Sequence, residues 1–176
     1  IEIVNQKYHD LKHQITLLKA EANNEKSTQY LEEMEKEIKS YEAQNKTGNK
    51  VLDAVLTSKS LYCQNKGIGF TCVADGTLLD FMAEMDISAL FGNILDNAIE
   101  STEKIREKEK RLIHLSVSQQ KKFLRIRIEN YCEEKIVFKK GIPQTTKKDK
   151  RFHGFGMKSI QSTVKKYGGS VTAGVR

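Results

Sequence analysis

Tryptophan is absent, and proline occurs once, at Pro143. Cysteine is scarce: Cys63, Cys72 and Cys132 form an odd set with no CxxC pair. That argues against a disulfide frame and for a reducing compartment, with small buried thiols as the plain reading. No apolar run reaches the roughly 20 residues that span a bilayer, and no signal-peptide pattern opens the chain, so a soluble protein is expected. Aromatics are only 7% of the 176 residues, and none interleaves with the basic clusters. Base stacking is therefore disfavoured, and nucleic acid with it. The opening IEIVNQ has no Met and is already in helical rhythm, which is the expectation for a piece of a longer chain.

Charge is what the chain has in quantity. Charged residues make up 30% and apolar ones 38%, enough core for one ordinary domain or for a small domain with a helical appendage. The net charge of +7 is uneven. Residues 1–46 hold nine acidic and seven basic side chains, so the remaining 130 residues carry a net +9. Much of it lies in 135–151, with Lys135, Lys139, Lys140, Lys147, Lys148, Lys150 and Arg151 against Asp149. Such a segment suits a nucleotide's phosphates, an acidic partner or a lipid surface.

In the first arm, apolar residues fall at Ile1, Val4, Tyr8, Leu11, Ile15, Leu18 and Ala22, with gaps alternating three and four. After EANNEKS the pattern resumes at Leu31, Met34, Ile38, Tyr41 and Asn45. Two heptad helices joined by a short polar turn predict an antiparallel hairpin. One hairpin leaves half of each stripe bare, so a homodimer with a four-helix bundle is expected; the alternative is packing back onto the same chain.

Gly48 in NKTGN is expected to end the second helix, and the texture then changes. VLDAVLTSKSLYCQNKG reads as a helix closed by Gly67, and IGFTCVAD as a strand. DISALFGNILDNAIESTEKIREKEK reads as a helix with Asp86 as N-cap and a core stripe of Leu90, Ile94 and Ala98. RLIHLSVSQQ and KFLRIRIEN alternate in period two and predict a hairpin. A long loop at about 131–153 precedes the helix GFGMKSIQSTVKKYGG, and SVTAGV starts another, truncated strand. The fold class is α+β: mostly antiparallel strands in a sandwich with helices on one face. The boundary falls between residues 1–46 and 47–176.

Three stretches can carry chemistry. In NILDNAIES, Asn93 and Asn97 are four apart and share one helix face. Buried amides of this kind serve a structural network, or they serve Mg²⁺ and phosphate, since an amide oxygen is a hard neutral ligand. In HGFGMKSI, Gly154 and Gly156 frame the start of a helix, where free N–H groups and the dipole favour phosphate. Asn130 closes a strand just before the long loop. Each signal is weak alone.

Their order is not. KYHDLKHQ, the heptad arm, GNILDNAIES, RIEN and GFGMKSI together resemble the transmitter module of bacterial sensor histidine kinases. The likeness is greatest to the subgroup that includes peptide-pheromone quorum-sensing receptors, whose ATPase domain has the GHKL (Bergerat-type) α/β sandwich fold shared with gyrase. It covers nearly the whole chain, and the asparagine box is its most specific part. The resemblance implies ATP and Mg²⁺ as cofactors, a homodimer, a response-regulator receiver domain as partner, and a plasma-membrane receptor whose sensor region lies outside this sequence. His9 would take the γ-phosphoryl group and Asp10 would orient its imidazole. Asn93 and Asn97 would hold Mg²⁺ and phosphate oxygens, Asn130 the base, and Gly154 and Gly156 the phosphates. His13 and Gln14 stand where related kinases carry a residue that helps dephosphorylate the regulator. The heptad adds its own argument: Tyr8 and Leu11 are on the seam, which turns His9 outward.

Two departures stand out. The usual DxGxG box is missing, with Asn130 at about the position of its aspartate, and a carboxamide is ambivalent toward a base. Glu100 sits where many of these kinases carry a cation. Two other readings remain. HDLKH has the spacing of an HExxH zinc hydrolase with Asp for Glu, but His114 and His153 are the only further histidines. A dimeric GHKL-like scaffold that binds nucleotide without transferring phosphate is the closer rival.

Overall fold

The computed structural model describes residues 2–21, 24–133, 138–139, 142–143 and 150–175, with side chains described at 12–21, 24–40, 42, 45–133 and 156–175. Among these residues no helix is long and apolar enough to cross a membrane.

Two helices open the chain, α1 (Glu2–Glu21) and α2 (Glu25–Gln44). They lie side by side in opposite directions, because Lys12 pairs with Glu42 (2.5 Å) while Lys19, further along α1, pairs with Glu35 (2.7 Å). Partly exposed pairs contribute about 0–1 kcal/mol each, so they fix register more than stability. The seam residues Ile15, Leu31 and Ile38 are buried, with Met34 and Leu61 packed against them. Leu61 belongs to α3 (Lys50–Asn65). Part of the stripe expected to be bare is thus covered by α3 of the same chain, while Leu17, Leu18 and Tyr30 stay exposed.

The α2–α3 linker is tied down locally. The Asn49 side chain caps α3 by accepting from the Leu52 N–H (3.0 Å). Thr47 donates through both its N–H and its hydroxyl to Asp53. A short 3₁₀ turn at Gly76–Leu79 closes on this linker, with the Gly76 N–H donating to the Thr47 carbonyl (2.8 Å). A Cβ on Gly76 would come within 2.3 Å of Thr47 Oγ1, so only glycine allows this approach. Gly67, at φ +64°, closes α3 in the left-handed conformation expected of a helix stop.

The sheet is β1 (Gly69–Ala74), β2 (Leu112–Gln120) and β3 (Phe123–Asn130), in that order. β2 and β3 form the expected hairpin, closing at Gln120 opposite Phe123. β1 runs parallel to β2, Gly69 beside Leu112 through Ala74 beside Val117, so the sheet is mixed rather than mostly antiparallel. The reason is α4 (Glu84–Glu103), a crossover helix between them that returns the chain in the same direction. Two two-residue strands, β4 (Phe138–Lys139) and β5 (Ile142–Pro143), pair with each other, and α5 (Lys150–Lys166) follows. Residues 170–175 form no strand; a strand exists only through its ladder, and SVTAGV pairs with no strand among the described residues.

The inner face of β2, Ile113, Leu115 and Val117, is buried beneath the helices. Phe91, Leu95 and Ile87 of α4 meet Leu52, Val55 and Leu56 of α3 in the same core, and Ile160 of α5 joins them. Of the expected stripe, Leu90 and Ala98 are buried and Ile94 is half-buried.

Both ends of α4 differ from the sequence reading. The N-cap is Ala83, not Asp86, and makes no side-chain cap of its own. The cap comes from across the fold: Tyr167 at the end of α5 accepts from the Ala83 N–H (2.9 Å) and donates to Asp86 (2.5 Å), which also receives Lys166 (2.6 Å). The helix stops at Glu103 instead of reaching Lys110, because Ile105 turns into the core and Arg111 donates to its carbonyl (2.8 Å).

Tyr167→Phe leaves the Ala83 amide uncapped and is expected to cost about 1 kcal/mol, read as a fall of roughly 2–4 °C in melting temperature. The hydrogen bonds from Lys166 and then Tyr167 hold the Asp86 carboxyl below the usual carboxylate range. An acid depressed in the folded state stabilises above its unfolded value and loses that contribution as pH falls through the folded one. Asp86→Asn is therefore expected to flatten the acid side of a stability-against-pH curve, measured by thermal melts.

Candidate functional site

The site is built from one stripe of α4. Asn93, Asn97 and Ser101 follow at intervals of four, so helical geometry stacks them along one face. α5 crosses this face. Asn93 Nδ2 donates to Ser159 Oγ on α5 at 3.1 Å. On α5, Gly156 faces the asparagines. A Cβ there would meet Asn97 Oδ1 at 3.4 Å, Asn93 Oδ1 at 3.7 Å and Asn97 Nδ2 at 3.9 Å. The two asparagine amides of α4 thus lie in ordinary contact range of a Cβ at Gly156 on α5.

Asn97 itself makes no side-chain hydrogen bond among the described residues, although it is half-buried. A sheltered amide normally has partners, and among the described residues this one has none. The amide oxygens of Asn93 and Asn97 are hard neutral ligands, the donor type that a hydrated Mg²⁺ carrying phosphate takes.

Gly156 is brought to the asparagines, but not as a helix start. α5 begins at Lys150 and runs unbroken through both glycines, so their N–H groups are not the free ones of a first turn. The expectation of a phosphate cradle at a helix start is corrected to one of close approach between helices. The surroundings of Gly154 lie outside the described side chains.

Asn130 is placed one turn further along the same stripe. Its Nδ2 donates to Ser101 Oγ (3.2 Å) and to the Tyr131 carbonyl (3.0 Å). Beside Ser101 opens a cavity of about 390 Å³ lined by Ser101, Lys104, Ile105, Arg106, Cys132 and Glu133, a size common for small-ligand sites. Lys110 stands over the Tyr131 ring at 5.4 Å from its centre. Arg111 pins the cavity wall by donating to the carbonyls of Ile105 and Lys66.

The other candidates lie on α1, which packs on α2 and α3, whereas the asparagine stripe belongs to α4. His13 and Gln14 are exposed. His9 and Asp10 fall within the helix, but their side chains lie outside the described ones. Among the described residues no three His, Cys, Asp or Glu side chains gather into a metal site. His114 is engaged elsewhere, its Nδ1 2.7 Å from Thr71 Oγ1. Burial pushes the thiols of Cys63 and Cys72 up to about 11, which keeps them protonated and unreactive at neutral pH.

Sequence reasoning missed three partners. Ser101 was legible in principle, being four residues past Asn97. Ser159, and the ion pair of the buried Lys59 with Asp96, carry no local signal; both cross between helices. The Lys59 pair holds α3 against α4 at the level of the asparagines.

No curated protein matches the chain. The family model for the GHKL domain matches residues 82–175, from just ahead of α4 through β2, β3 and α5. That stretch contains every element of the stripe, the cavity and the Gly156 crossing, and it is more than half of the sequence. The chain belongs to the GHKL family, a superfamily of kinases and ATPases with an ATP-binding fold.

Proposed function

We propose that the chain is the transmitter module of a two-component sensor histidine kinase, of the kind found in peptide-pheromone quorum-sensing receptors. The observation that carries the nucleotide half is the half-buried Asn97 amide, which has no hydrogen-bond partner among the described residues and lies with Asn93 against Gly156. The phosphoacceptor half rests on HDLKHQ in a heptad helix.

When bound, Mg-ATP supplies the γ-phosphoryl group, with its charge partly neutralised by the cation. Asn93 and Asn97 would hold the cation and phosphate oxygens, beside Gly156 of α5. Asn130 meets the base. Asp10 accepts a hydrogen bond from one imidazole nitrogen of His9, which leaves the lone pair on the other directed at phosphorus. The remainder is positioning and charge neutralisation, as phosphoryl transfer requires. The phosphoryl group then passes to an aspartate of a response regulator, and His13 or Gln14 orients the water that later hydrolyses that aspartyl phosphate to carboxylate and inorganic phosphate.

Residues 1–46 serve as the dimerisation and acceptor arm and 47–176 as the catalytic domain. The exposed Leu17, Leu18 and Tyr30 supply apolar surface to a second copy. Attachment to the membrane belongs to the sensor region. Incubation with γ-labelled ATP and Mg²⁺ tests the proposal: label stable in base and labile in acid is expected on the chain.

A second reading, a GHKL scaffold that binds nucleotide without transferring it, is favoured by one feature. α5 runs unbroken through Gly154 and Gly156, as suits a site with no phosphate loop to close. Nucleotide binding without label would establish it.

A further inference from the structure

An asparagine where an acidic residue is usual leaves base choice open in principle, because a carboxamide can present either oxygen or nitrogen. The geometry at Asn130 closes that choice. Its Nδ2 lies 3.0 Å from the Tyr131 carbonyl, a group that only accepts. A flipped amide would set two oxygens against each other there, so the nitrogen is held on that side. The second N–H goes to Ser101 Oγ at 3.2 Å. Both donors are then used, and Oδ1 makes no hydrogen bond among the described residues.

We propose that Ser101 is a specificity-determining positioning residue: with the Tyr131 carbonyl it reduces Asn130 to a pure hydrogen-bond acceptor, which selects an exocyclic amino group over a carbonyl, hence adenine over guanine. The proposal rests on the nucleotide reading above. An acceptor-only amide satisfies the adenine N6 amino group. Guanine brings its O6 oxygen to the same edge and finds no donor. Ser101 lines the cavity and lies four residues beyond Asn97, so phosphate and base would be read by one face of α4. With Ser101 removed, one Asn130 N–H is freed and the edge offers a donor beside its acceptor.

The test is calorimetric titration of the full chain with Mg-ATP, Mg-GTP and inorganic tripolyphosphate. The unaltered chain is expected to favour ATP over GTP by at least about tenfold, the size of one hydrogen bond left unmade. Ser101→Ala is expected to shrink that preference several-fold by strengthening GTP, with tripolyphosphate affinity unmoved. Ser101→Thr, which keeps the hydroxyl, is expected to retain it. Should the alanine variant not fold, Ser101→Cys supplies a near-isosteric weak acceptor, and the preference should again fall. An unchanged ATP:GTP ratio in the alanine or cysteine variant overturns the proposal, as does loss of the ratio in Ser101→Thr. Nucleotides bound by the unaltered chain without preference overturn this proposal alone. No nucleotide bound at all overturns the nucleotide reading and this one together.

Discussion

Replacing His9 by alanine is expected to remove all acid-labile label from the chain incubated with γ-labelled Mg-ATP, a drop to background, while ATP still binds. The expectation has two supports. Position 9 shares a helix face with position 13, and His13 is exposed while Ile15, two residues on, is buried. At position 13 that face is exposed, as access by a second domain requires. The second support is separation: the asparagine stripe lies on α4, and α1 packs on α2 and α3, so losing an imidazole from α1 leaves the site for ATP untouched. Calorimetry on the same variant should return the ATP affinity of the unaltered chain. Label that persists with the same acid lability would move the acceptor to another residue. Asp10→Asn tests the partner role and should slow labelling without weakening ATP binding.

Asn97→Asp is expected to lower autophosphorylation by at least about a hundredfold, the scale of losing one preorganised polar group at a developing charge. The substitution changes almost no volume. It replaces a neutral amide with a carboxylate whose oxygens face the space at Gly156, 3.4 Å from where a Cβ would stand. Phosphate oxygens brought there would meet a like charge in a half-sheltered setting. Stability should change little, since the Asn97 side chain makes no hydrogen bond among the described residues that the variant could break. A melting temperature near that of the unaltered chain, with labelling lost, is the expected pair of results. Normal labelling in this variant would remove the asparagine box from the mechanism. By contrast, Asn93→Asp also reverses the bond to Ser159, whose hydroxyl must turn from accepting to donating, so its effect would mix site and packing.

Much of the architecture was legible along the chain because its causes are local. Period-two alternation gave β2 and β3. Alternating gaps of three and four gave α1 and α2, and glycines at 67 and 168 marked helix ends. The spacing of Asn93 and Asn97 put two amides on one face before any fold was known. The errors were also of one kind. Asp86 looked like a cap because caps are sought one or two residues away, yet Tyr167 reaches Ala83 from the far end of the domain. The reading carried α4 on to Lys110 because the intervening residues favour helix; burial of Ile105 overrode that propensity. SVTAGV has strand texture, but texture makes no ladder.

Residue order and spacing therefore settled where the candidate groups fall: a histidine off the heptad seam, two amides one turn apart, and glycines near a helix. Tertiary packing settled what those groups do to one another. It set Gly156 against both amides, covered Ile15, Leu31 and Ile38 with Leu61, and used up both N–H groups of Asn130. Each of these joins residues far apart in the chain, where no periodicity reaches. Periodicity reports which face a side chain takes, whereas hydrogen-bond direction and close approach depend on what the rest of the fold brings to that face.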